Sequence, residues 1–262
     1  MADTNSKKKT VLVLAGHDPT GAAGIQADIE TISANGCQCV SVITALTTQD
    51  TARCSRVYPQ KLEPFREQCE LLLQDVTVDA CKIGLIGDYK LAEYIAGLLD
   101  ELVQVPVVLD PVLAAGDGTA FADTALVQYI AGQLLKRSLV CTPNVSEARK
   151  LSGRNNITDA GKSLVDSGCP NVLITGADEN TVEINNTLFQ LNQPQTVYSW
   201  ERIPGSFHGT GCTLAAAIAA GLASGKDIST AIMAAQKYTW QCLQHGIQYG
   251  TAQLHPNRLW NF

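Results

Sequence analysis

Short apolar runs alternate with longer stretches of helical periodicity along most of this 262-residue chain. Compact runs rich in β-branched residues predict buried strands, whereas apolar residues at helical spacing predict helices. The predicted strands are Val11–Ala15, Cys39–Ala45, Asp79–Ile86, Pro106–Leu109, Leu139–Thr142 and Asn171–Thr175. The predicted helices are Ile25–Asn35, Pro64–Gln74, Tyr89–Leu102, Asp123–Leu135, a short helix ending at Leu151, Asp159–Ser167 capped by Thr158, and Ile228–Tyr249.

Strands that alternate with helices in this way indicate βαβ units and a mostly parallel, doubly wound sheet. Two polar stretches depart from the alternation. Thr47–Arg56 is predicted to be a loop or a short antiparallel excursion, and Thr181–Trp200 reads as antiparallel edge strands. The chain shows no linker and no internal repeat, so we expect one domain over residues 1–262, with residues 1–9 flexible.

Composition narrows the possible classes of protein. Apolar residues make up 45% of the chain and the net charge is −6, which argues against a general nucleic-acid or membrane-surface binder. No apolar run approaches the ~20 residues that span a bilayer. The apolar run after the basic residues Lys7, Lys8 and Lys9 is too short for a signal-peptide core, so these lysines are expected to be solvated. Nine scattered cysteines predict reduced core residues in a cytoplasmic protein.

The stretch Ile203–Ala223 carries the most distinctive chemistry. Gly209, Thr210, Gly211 and Cys212 lead into small apolar residues that predict a buried helix. Glycines before a helix allow close approach to a ligand, and the first helical N–H groups form an anion site suited to phosphate. A cysteine in the first turn is expected to have a lowered thiol pKa and to serve as a base or nucleophile. A glycine-rich turn with Cys212 as a packing residue is the alternative.

Common catalytic motifs are missing from the sequence. It contains no GxxxxGK[ST], no GxGxxG opening the first helix, no GxSxG and no HExxH. These absences argue against a Walker-type ATPase, a nicotinamide enzyme, a serine hydrolase of that type and a zinc protease. Few histidines and no paired cysteines argue against a zinc site.

Three clusters of polar or small residues follow predicted strands, at the edge where ligands bind in such sheets. The small residues of Gly21–Gly24, with Asp28 one turn into the next helix, either leave room for a flat ligand or form a tight turn between strand and helix. Asp110 follows a central strand, where a carboxylate can bind a ligand or metal or simply form a turn. Asn144 and Glu147 share a helix face and suit hydrated Mg²⁺, although they also fit a capping box.

Taken together, these segments resemble the hydroxymethylpyrimidine/phosphomethylpyrimidine kinases, thiamine-biosynthesis enzymes of the ribokinase-like superfamily. The shared segments, in the family's order and spacing, are LAGHDPTGAAGIQADI, VITALTTQDT, CKIG, LDPV, TPNVSEA and HGTGCTLAAAIA. The resemblance covers roughly residues 11–246. GTGC is the informative motif, because sugar kinases of the superfamily usually have GTGD with an aspartate base.

The resemblance implies a three-layer α/β/α fold, ATP and Mg²⁺ as co-substrates, and commonly a homodimer. It makes Cys212 the base that deprotonates the hydroxymethyl group, with Gly209, Thr210 and Gly211 as the anion hole. The other implied residues are Gln49, Asp28, Gly16 and Val112 for the pyrimidine, and Asp110, Asn144 and Glu147 for magnesium and its phosphate-bound waters. Thr175 stands near the expected ATP phosphates, where the family often has lysine.

The chain departs from the family pattern at a few positions. Thr175 and Gly116 replace frequent lysines, Asp178 replaces a histidine, and Ser206 and Phe207 replace the usual Asn-Thr. The two lost lysines remove positive charge near the expected phosphates, which bears on a second phosphorylation more than on the first. A pyridoxal kinase of the same superfamily and a non-catalytic pyrimidine-binding paralogue are the competing hypotheses.

Overall fold

The computed structural model describes residues 8–116, 118–177, 179 and 181–262. Its strands are β1 (Thr10–His17), β2 (Gln38–Gln49), β3 (Cys54–Pro59), β4 (Ala80–Ile83), β5 (Val107–Leu109), β6 (Val140–Cys141), β7 (Asn171–Ile174), β8 (Glu183–Gln190) and β9 (Thr196–Glu201). Its α-helices are α1 (Gly24–Ala34), α2 (Leu62–Asp75), α3 (Tyr89–Glu101), α4 (Thr124–Tyr129), α5 (Val145–Ser152), α6 (Ile157–Asp166), α7 (Thr210–Ala223) and α8 (Ile228–Gln244).

The described strands form one sheet in the order β3-β2-β1-β4-β5-β6-β7-β8-β9. Strands β1, β2 and β4 to β7 are parallel to one another. Strand β3 is antiparallel at one edge, and β8 and β9 are antiparallel at the other. The structure therefore confirms a mostly parallel sheet with antiparallel edge elements, and the polar stretch after β2 is an antiparallel hairpin.

Helices cover both faces of the sheet, because alternate residues of each central strand are apolar on opposite sides. Leu12, Leu14 and Leu109 pack on the face covered by α2 to α6. Val13 and Val108 pack on the other face, which α1, α7 and α8 cover. The predicted three-layer α/β/α fold is confirmed.

Helix α7 lies in the middle of its layer, and residues 213–223 are all buried. Alanine has the highest helix propensity, and its small side chain lets a helix approach its neighbours closely. A helix that is apolar all round is stable only where it is buried on every side. The small apolar side chains of α7 therefore allow it to pack at the centre of its layer. Its first residues then lie at the middle of the edge where the parallel strands end.

Several boundaries differ from the sequence-based expectations. Asn156, rather than Thr158, caps α6, because its side chain accepts hydrogen bonds from the N–H groups of Thr158 and Asp159. Helix α8 ends at Gln244, since the chain turns there and Ile247 pairs with His255. A π-helical turn (Ile130–Leu134) and a 3₁₀ turn follow α4, where one continuous helix was predicted.

The N-terminal residues and the cysteines bear on two further expectations. Residues 1–7 lie outside the described part, and Lys9 Nζ lies 2.7 Å from Asp79 Oδ1 at the surface. All nine cysteines are free. Within the described residues, no helix has the length and apolar character needed to cross a membrane.

Packing between α6 and β8 offers a stability test. A Cβ added to Gly161 would overlap the Phe189 ring, so we expect Gly161→Ala to lower the free energy of unfolding by about 1–3 kcal/mol. Gly97 in α3 has no such neighbour within 4 Å, and Gly97→Ala is expected to raise it by about 0.5–1 kcal/mol. Urea unfolding measures both; equal effects would contradict the packing described.

Candidate functional site

A cavity of about 340 Å³ opens at the carboxyl ends of the parallel strands. Eleven of the twelve predicted site residues lie in its wall. They are Gly16, Gln49, Asp110, Val112, Asn144, Glu147, Thr175, Gly209, Thr210, Gly211 and Cys212. Gly116 also lines this cavity, whereas Asp178 lies outside the described residues. The shared edge of the sheet brings together residues that are far apart in the sequence.

The start of α7 forms a backbone cradle for an anion. Gly209 is its N-cap with φ of 88°, a conformation that favours glycine. The first helical hydrogen bond runs from Thr213 N–H to the Gly209 carbonyl at 3.0 Å. The N–H groups of Thr210, Gly211 and Cys212 come before this bond in the chain and have no acceptor within the helix, as at any helix start. They lie at the positive end of the helix dipole, where an anion is stabilised.

The Cys212 thiol does not have the lowered pKa that its position at a helix start predicts. The pKa of the Cys212 thiol is raised to about 12, mainly by burial and to a smaller extent by the nearby carboxylates of Asp110 and Asp28. The Lys82 ammonium and the Gly24 N–H oppose this effect without overcoming it. Desolvation therefore outweighs the favourable interactions with Lys82 and Gly24, and the thiol is protonated at neutral pH in the ligand-free site.

Asp28 is not among the residues that line the cavity, and its contact with the pyrimidine stays a prediction. Its side chain is fully buried, and its Oδ2 lies 2.9 Å from Lys82 Nζ. Lys82 pairs with Val13 and Val108 in the sheet register and faces the layer of α1 and α7. It lies between Asp28 and the cavity.

Lys82 is the only lysine or arginine in the cavity wall among the residues that the structure describes. Its Nζ lies 3.5 Å from Asp110 Oδ2, so one ammonium faces two carboxylates. Burial by itself would lower the pKa of Lys82, but the charge of Asp28 raises it above its usual range. A Cβ on Gly84 would come within 2.9 Å of this ammonium, so the glycine makes room for it. The CKIG segment gives no sign of this ion pair in the sequence, because Asp28 and Asp110 meet Lys82 only in the folded chain.

Asp18 and His208 are cavity residues to which the sequence analysis gave no role. Asp18 accepts hydrogen bonds from Thr20 N–H at 2.8 Å and Ala23 N–H at 2.9 Å, and its Oδ2 lies 3.2 Å from His208 Nε2. Burial would raise the pKa of Asp18, but hydrogen bonds from His208, Gln49 and Thr20 hold it well below its usual range. The carboxylate therefore joins the loop after β1 to the residue before Gly209.

Asn144 and Glu147 form the predicted capping box of α5. Glu147 N–H donates to Asn144 Oδ1 at 2.8 Å, and Asn144 N–H donates to Glu147 Oε2 at 2.9 Å. Leu113 N–H donates to Glu147 Oε1 at 3.3 Å. Each carboxylate oxygen can still accept a further contact, so capping leaves Glu147 able to bind a ligand.

The oxygen donors in this wall fit a hydrated magnesium ion. Asp110 Oδ2 is buried and accepts no hydrogen bond; it is ion-paired with Lys82 Nζ at 3.5 Å and can still accept a further contact beside the cavity. Within the described residues, no cluster of three or more His, Cys, Asp or Glu side chains could hold a metal on its own. Mg²⁺ commonly keeps several waters and uses one or two carboxylates plus phosphate oxygens, so this donor set matches that pattern.

The other end of the cavity is apolar and aromatic. Trp200 of β9 and Trp240 of α8 both line it, and their ring centroids lie 6.2 Å apart. Ile184, Leu214 and Leu243 also line the cavity. The sequence analysis left most of this region unassigned, because the strand-like segment after β7 showed no motif.

These features define a class: an α/β/α protein with a helix-start anion cradle, oxygen donors for a hydrated cation and a two-ended cavity, as small-molecule kinases have. A family model described as phosphomethylpyrimidine kinase matches residues 18–257, and the chain belongs to this family. A hydroxymethylpyrimidine/phosphomethylpyrimidine kinase of Haemophilus influenzae is 31% identical over 266 residues, covering 98% of each chain.

Solved structures of small-molecule kinases have a similar fold. The pyridoxal kinase of Staphylococcus aureus in complex with ADP has a TM-score of 0.89 at 27% identity, covering 98% of this chain and 96% of that one. A phosphomethylpyrimidine kinase of Clostridium difficile has a TM-score of 0.78 at 30% identity, covering 88% of this chain and 98% of that one.

The charge on Asp18 should stabilise the fold in a pH-dependent way. We expect Asp18→Asn to lower the free energy of unfolding by about 2 kcal/mol at pH 7, because charge-assisted hydrogen bonds are lost. Since the folded-state pKa lies below the ordinary 3.8, this contribution is complete above 3.8, shrinks as the pH falls below it, and vanishes past the folded-state pKa.

Urea unfolding at pH 7 and pH 3 measures this difference. Asp75→Asn, at an exposed position on α2, is the matched control and should show neither effect. A difference between wild type and Asp18→Asn that is the same at both pH values would contradict the assignment.

Proposed function

We propose that this protein is an ATP-dependent kinase that phosphorylates 4-amino-5-hydroxymethyl-2-methylpyrimidine and then its monophosphate in thiamine diphosphate biosynthesis. The family match over residues 18–257 supports the substrate class. The single structural observation that carries the proposal is the cavity wall itself. It joins the backbone cradle at Gly209, the thiol of Cys212, the carboxylate of Asp110 and the amide of Gln49 in one space.

The cradle binds and orients the transferred phosphate. N–H groups of Thr210, Gly211 and Cys212 donate to its oxygens at the positive end of α7. Donors that are already in place stabilise charge as it develops, without reorganising during the reaction. Phosphoryl transfer depends mainly on such positioning and electrostatic stabilisation, so this backbone is the main catalytic element.

In its thiolate form, Cys212 accepts the proton of the substrate hydroxyl as the γ-phosphoryl group moves from ATP to the alcohol oxygen and ADP leaves. Because burial raises its pKa to about 12, it can act as a base only when the surrounding charges change. Asp110, Glu147 and Asn144 would hold Mg²⁺ and its waters. When bound, Mg²⁺ offsets the charge of the phosphates and of Asp110, one of the carboxylates that raise the Cys212 pKa.

The pyrimidine lies at the end of the cavity lined by Gly16, Gln49 and Val112. A glutamine amide offers both a donor and an acceptor, which match the edge of an aminopyrimidine. The base of ATP then takes the aromatic end near Trp200 and Trp240. Solved complexes of the related Staphylococcus aureus pyridoxal kinase with ADP and AMP-PCP support ATP as the co-substrate.

The balance between the two phosphorylations depends on positive charge in the cavity. Thr175 and Gly116 supply none, and Lys82 is the only lysine or arginine in the described wall. The second step brings an extra phosphate into the site. We therefore expect phosphorylation of the alcohol to be the faster of the two steps.

Pyridoxal is the second candidate substrate. The Staphylococcus aureus pyridoxal kinase in complex with pyridoxal has a TM-score of 0.88 at 25% identity over 97% of this chain, which favours this candidate. The names of the sequence relatives favour the pyrimidine. A homodimer in the cytoplasm is part of the proposal; the nine free cysteines support a reducing compartment.

Product identification by mass tests the function. The purified protein is incubated with ATP, Mg²⁺ and one of hydroxymethylpyrimidine, its monophosphate or pyridoxal. We expect conversion of both pyrimidines, the alcohol faster, and slower conversion of pyridoxal. A preference for pyridoxal would replace the pyrimidine assignment, and pyrimidine binding without turnover would leave the non-catalytic paralogue.

The role of Cys212 can be tested by substitution. Cys212→Ala should lower turnover by about 10²-fold, the usual contribution of a general base, and leave the affinity for the pyrimidine nearly unchanged. Cys39→Ala, at another partly exposed cysteine outside the cavity wall, is the matched control and should retain full activity. Unchanged turnover in Cys212→Ala would exclude this residue as the base.

A further inference from the structure

The C-terminal segment Gln253–Arg258 runs along the loop that leads into the anion cradle. Leu254 N–H donates to the Ser206 carbonyl at 2.8 Å, and His208 N–H donates to the Leu254 carbonyl at 2.9 Å. Gln253 N–H donates to the Thr51 carbonyl at 3.1 Å. The tail, which showed no periodicity in the sequence, is therefore hydrogen-bonded to the segment before Gly209.

Arg258 ends this segment with a guanidinium inside the protein, and the residue is only 2% exposed. Its Nη1 donates to the Gly21 carbonyl at 3.2 Å, and its Nη2 donates to the Ala22 carbonyl. Its Nη1 also lies 3.2 Å from the Glu30 carboxylate of α1. A planar guanidinium can serve several acceptors at once, which a lysine ammonium cannot do in the same geometry.

The third nitrogen of the Arg258 guanidinium, Nε, contacts the helix of the cradle. Nε donates to Thr213 Oγ1 at 3.0 Å, and Thr213 Oγ1 donates to the Gly209 carbonyl at 2.8 Å. Arg258 therefore fixes both the Gly21–Ala22 turn and, through Thr213, the N-cap of α7. These two segments face each other closely, because a Cβ on Gly209 would overlap the Ala22 carbonyl.

We propose that Arg258 is a positioning residue for phosphoryl transfer: it holds the backbone donors at the start of α7 in the geometry that binds the transferred phosphate. The proposal rests on the kinase function proposed above. Arg258 acts through Thr213 and Gly209 and is not in the cavity wall. A shift of about 1 Å in such donors can cost about 10²-fold in rate, so the fixed geometry matters for the reaction.

The hydrogen-bond partners of the buried Arg258 guanidinium support this role. A buried guanidinium needs hydrogen-bond acceptors for its N–H groups. Removing one member of such a network leaves its partners buried and unpaired, which destabilises the folded protein. Here the partners are two carbonyls, a hydroxyl and a carboxylate, and all four belong to segments that flank the cradle. If Arg258 served only to pair with Glu30, its contacts with the two carbonyls and the hydroxyl would not be needed.

Three variants separate positioning from folding. Arg258→Met removes all donors, Arg258→Lys keeps the charge but not the fork, and Thr213→Val removes the hydroxyl that links Arg258 to Gly209. Arg137→Met, which breaks a bidentate pair with Asp100 at the protein surface, is the matched arginine control. Gly161→Ala is the control for lost stability without any change near the cradle.

The first readout is the affinity for inorganic tripolyphosphate, measured by calorimetry without turnover, well below the unfolding temperature of each variant. We expect Arg258→Met and Arg258→Lys to lose at least about tenfold in affinity, and Thr213→Val to lose less. The effect of combining Arg258→Met with Thr213→Val should be smaller than the sum of the single effects, because both act on one hydrogen-bond chain.

The second readout is steady-state kinetics. We expect kcat to fall by about 10- to 100-fold in Arg258→Met with little change in the KM for the pyrimidine, and added methylguanidinium to restore part of kcat. The Gly161→Ala and Arg137→Met controls should keep wild-type affinity and kcat. Wild-type tripolyphosphate affinity in Arg258→Met, or an equal loss in Gly161→Ala at matched stability, would overturn the proposal.

The two proposals fail in different ways. If the wild type turns over no substrate but Arg258→Met still loses tripolyphosphate affinity, the kinase assignment fails and the positioning of the cradle stands. If the wild type phosphorylates the pyrimidine and Arg258→Met binds tripolyphosphate normally, only the role of Arg258 fails.

Discussion

The close approach of Gly209 to the Ala22 carbonyl is the constraint on which the site depends. Gly209 adopts φ of 88°, and any side chain there would overlap the Ala22 carbonyl. This contact brings the loop after β1 against the start of α7, although the two segments are far apart in the sequence. The Asp18–His208 pair and the Arg258 network join the same two segments. The anion cradle is therefore defined by tertiary contacts between loops as well as by the helix start.

The charge in the cavity follows from a second constraint, the burial of Lys82. A buried ammonium is stable here because Asp28 and Asp110 face it. These groups also set the state of Cys212, whose thiol is raised in pKa by desolvation and by both carboxylates. The site combines a neutral thiol with a cradle for negative charge, and ligand charges must complete the balance before Cys212 can accept a proton.

Much of the fold could be predicted from the sequence, because apolar runs and helical periodicity reflect burial directly. The mostly parallel sheet, the antiparallel edges and the buried helix after Cys212 all follow from such patterns. The gathering of Asp110, Asn144 and Gln49 at one edge follows from the rule that parallel strands end on the same side. The capping box at Asn144 follows from the spacing of two residues and is confirmed.

Other features depend on tertiary contacts that local patterns do not record. The sequence predicts Asp28 as a pocket residue but gives no sign of its ion pair with Lys82, which depends on the pairing of β4 beside β1. The raised pKa of Cys212 depends on burial around the helix start, which position in the sequence alone does not show. Arg258 lies in a tail without periodicity, and only the folded chain brings it to Gly21 and Thr213.

The most direct test of the account is a crystal structure with AMP-PCP and hydroxymethylpyrimidine bound together. We predict the terminal phosphate at the N–H groups of Thr210 and Gly211, the pyrimidine edge on Gln49, and the hydroxyl within hydrogen-bond reach of Cys212 Sγ. Phosphates bound away from the start of α7, or a hydroxyl turned away from Cys212, would contradict it.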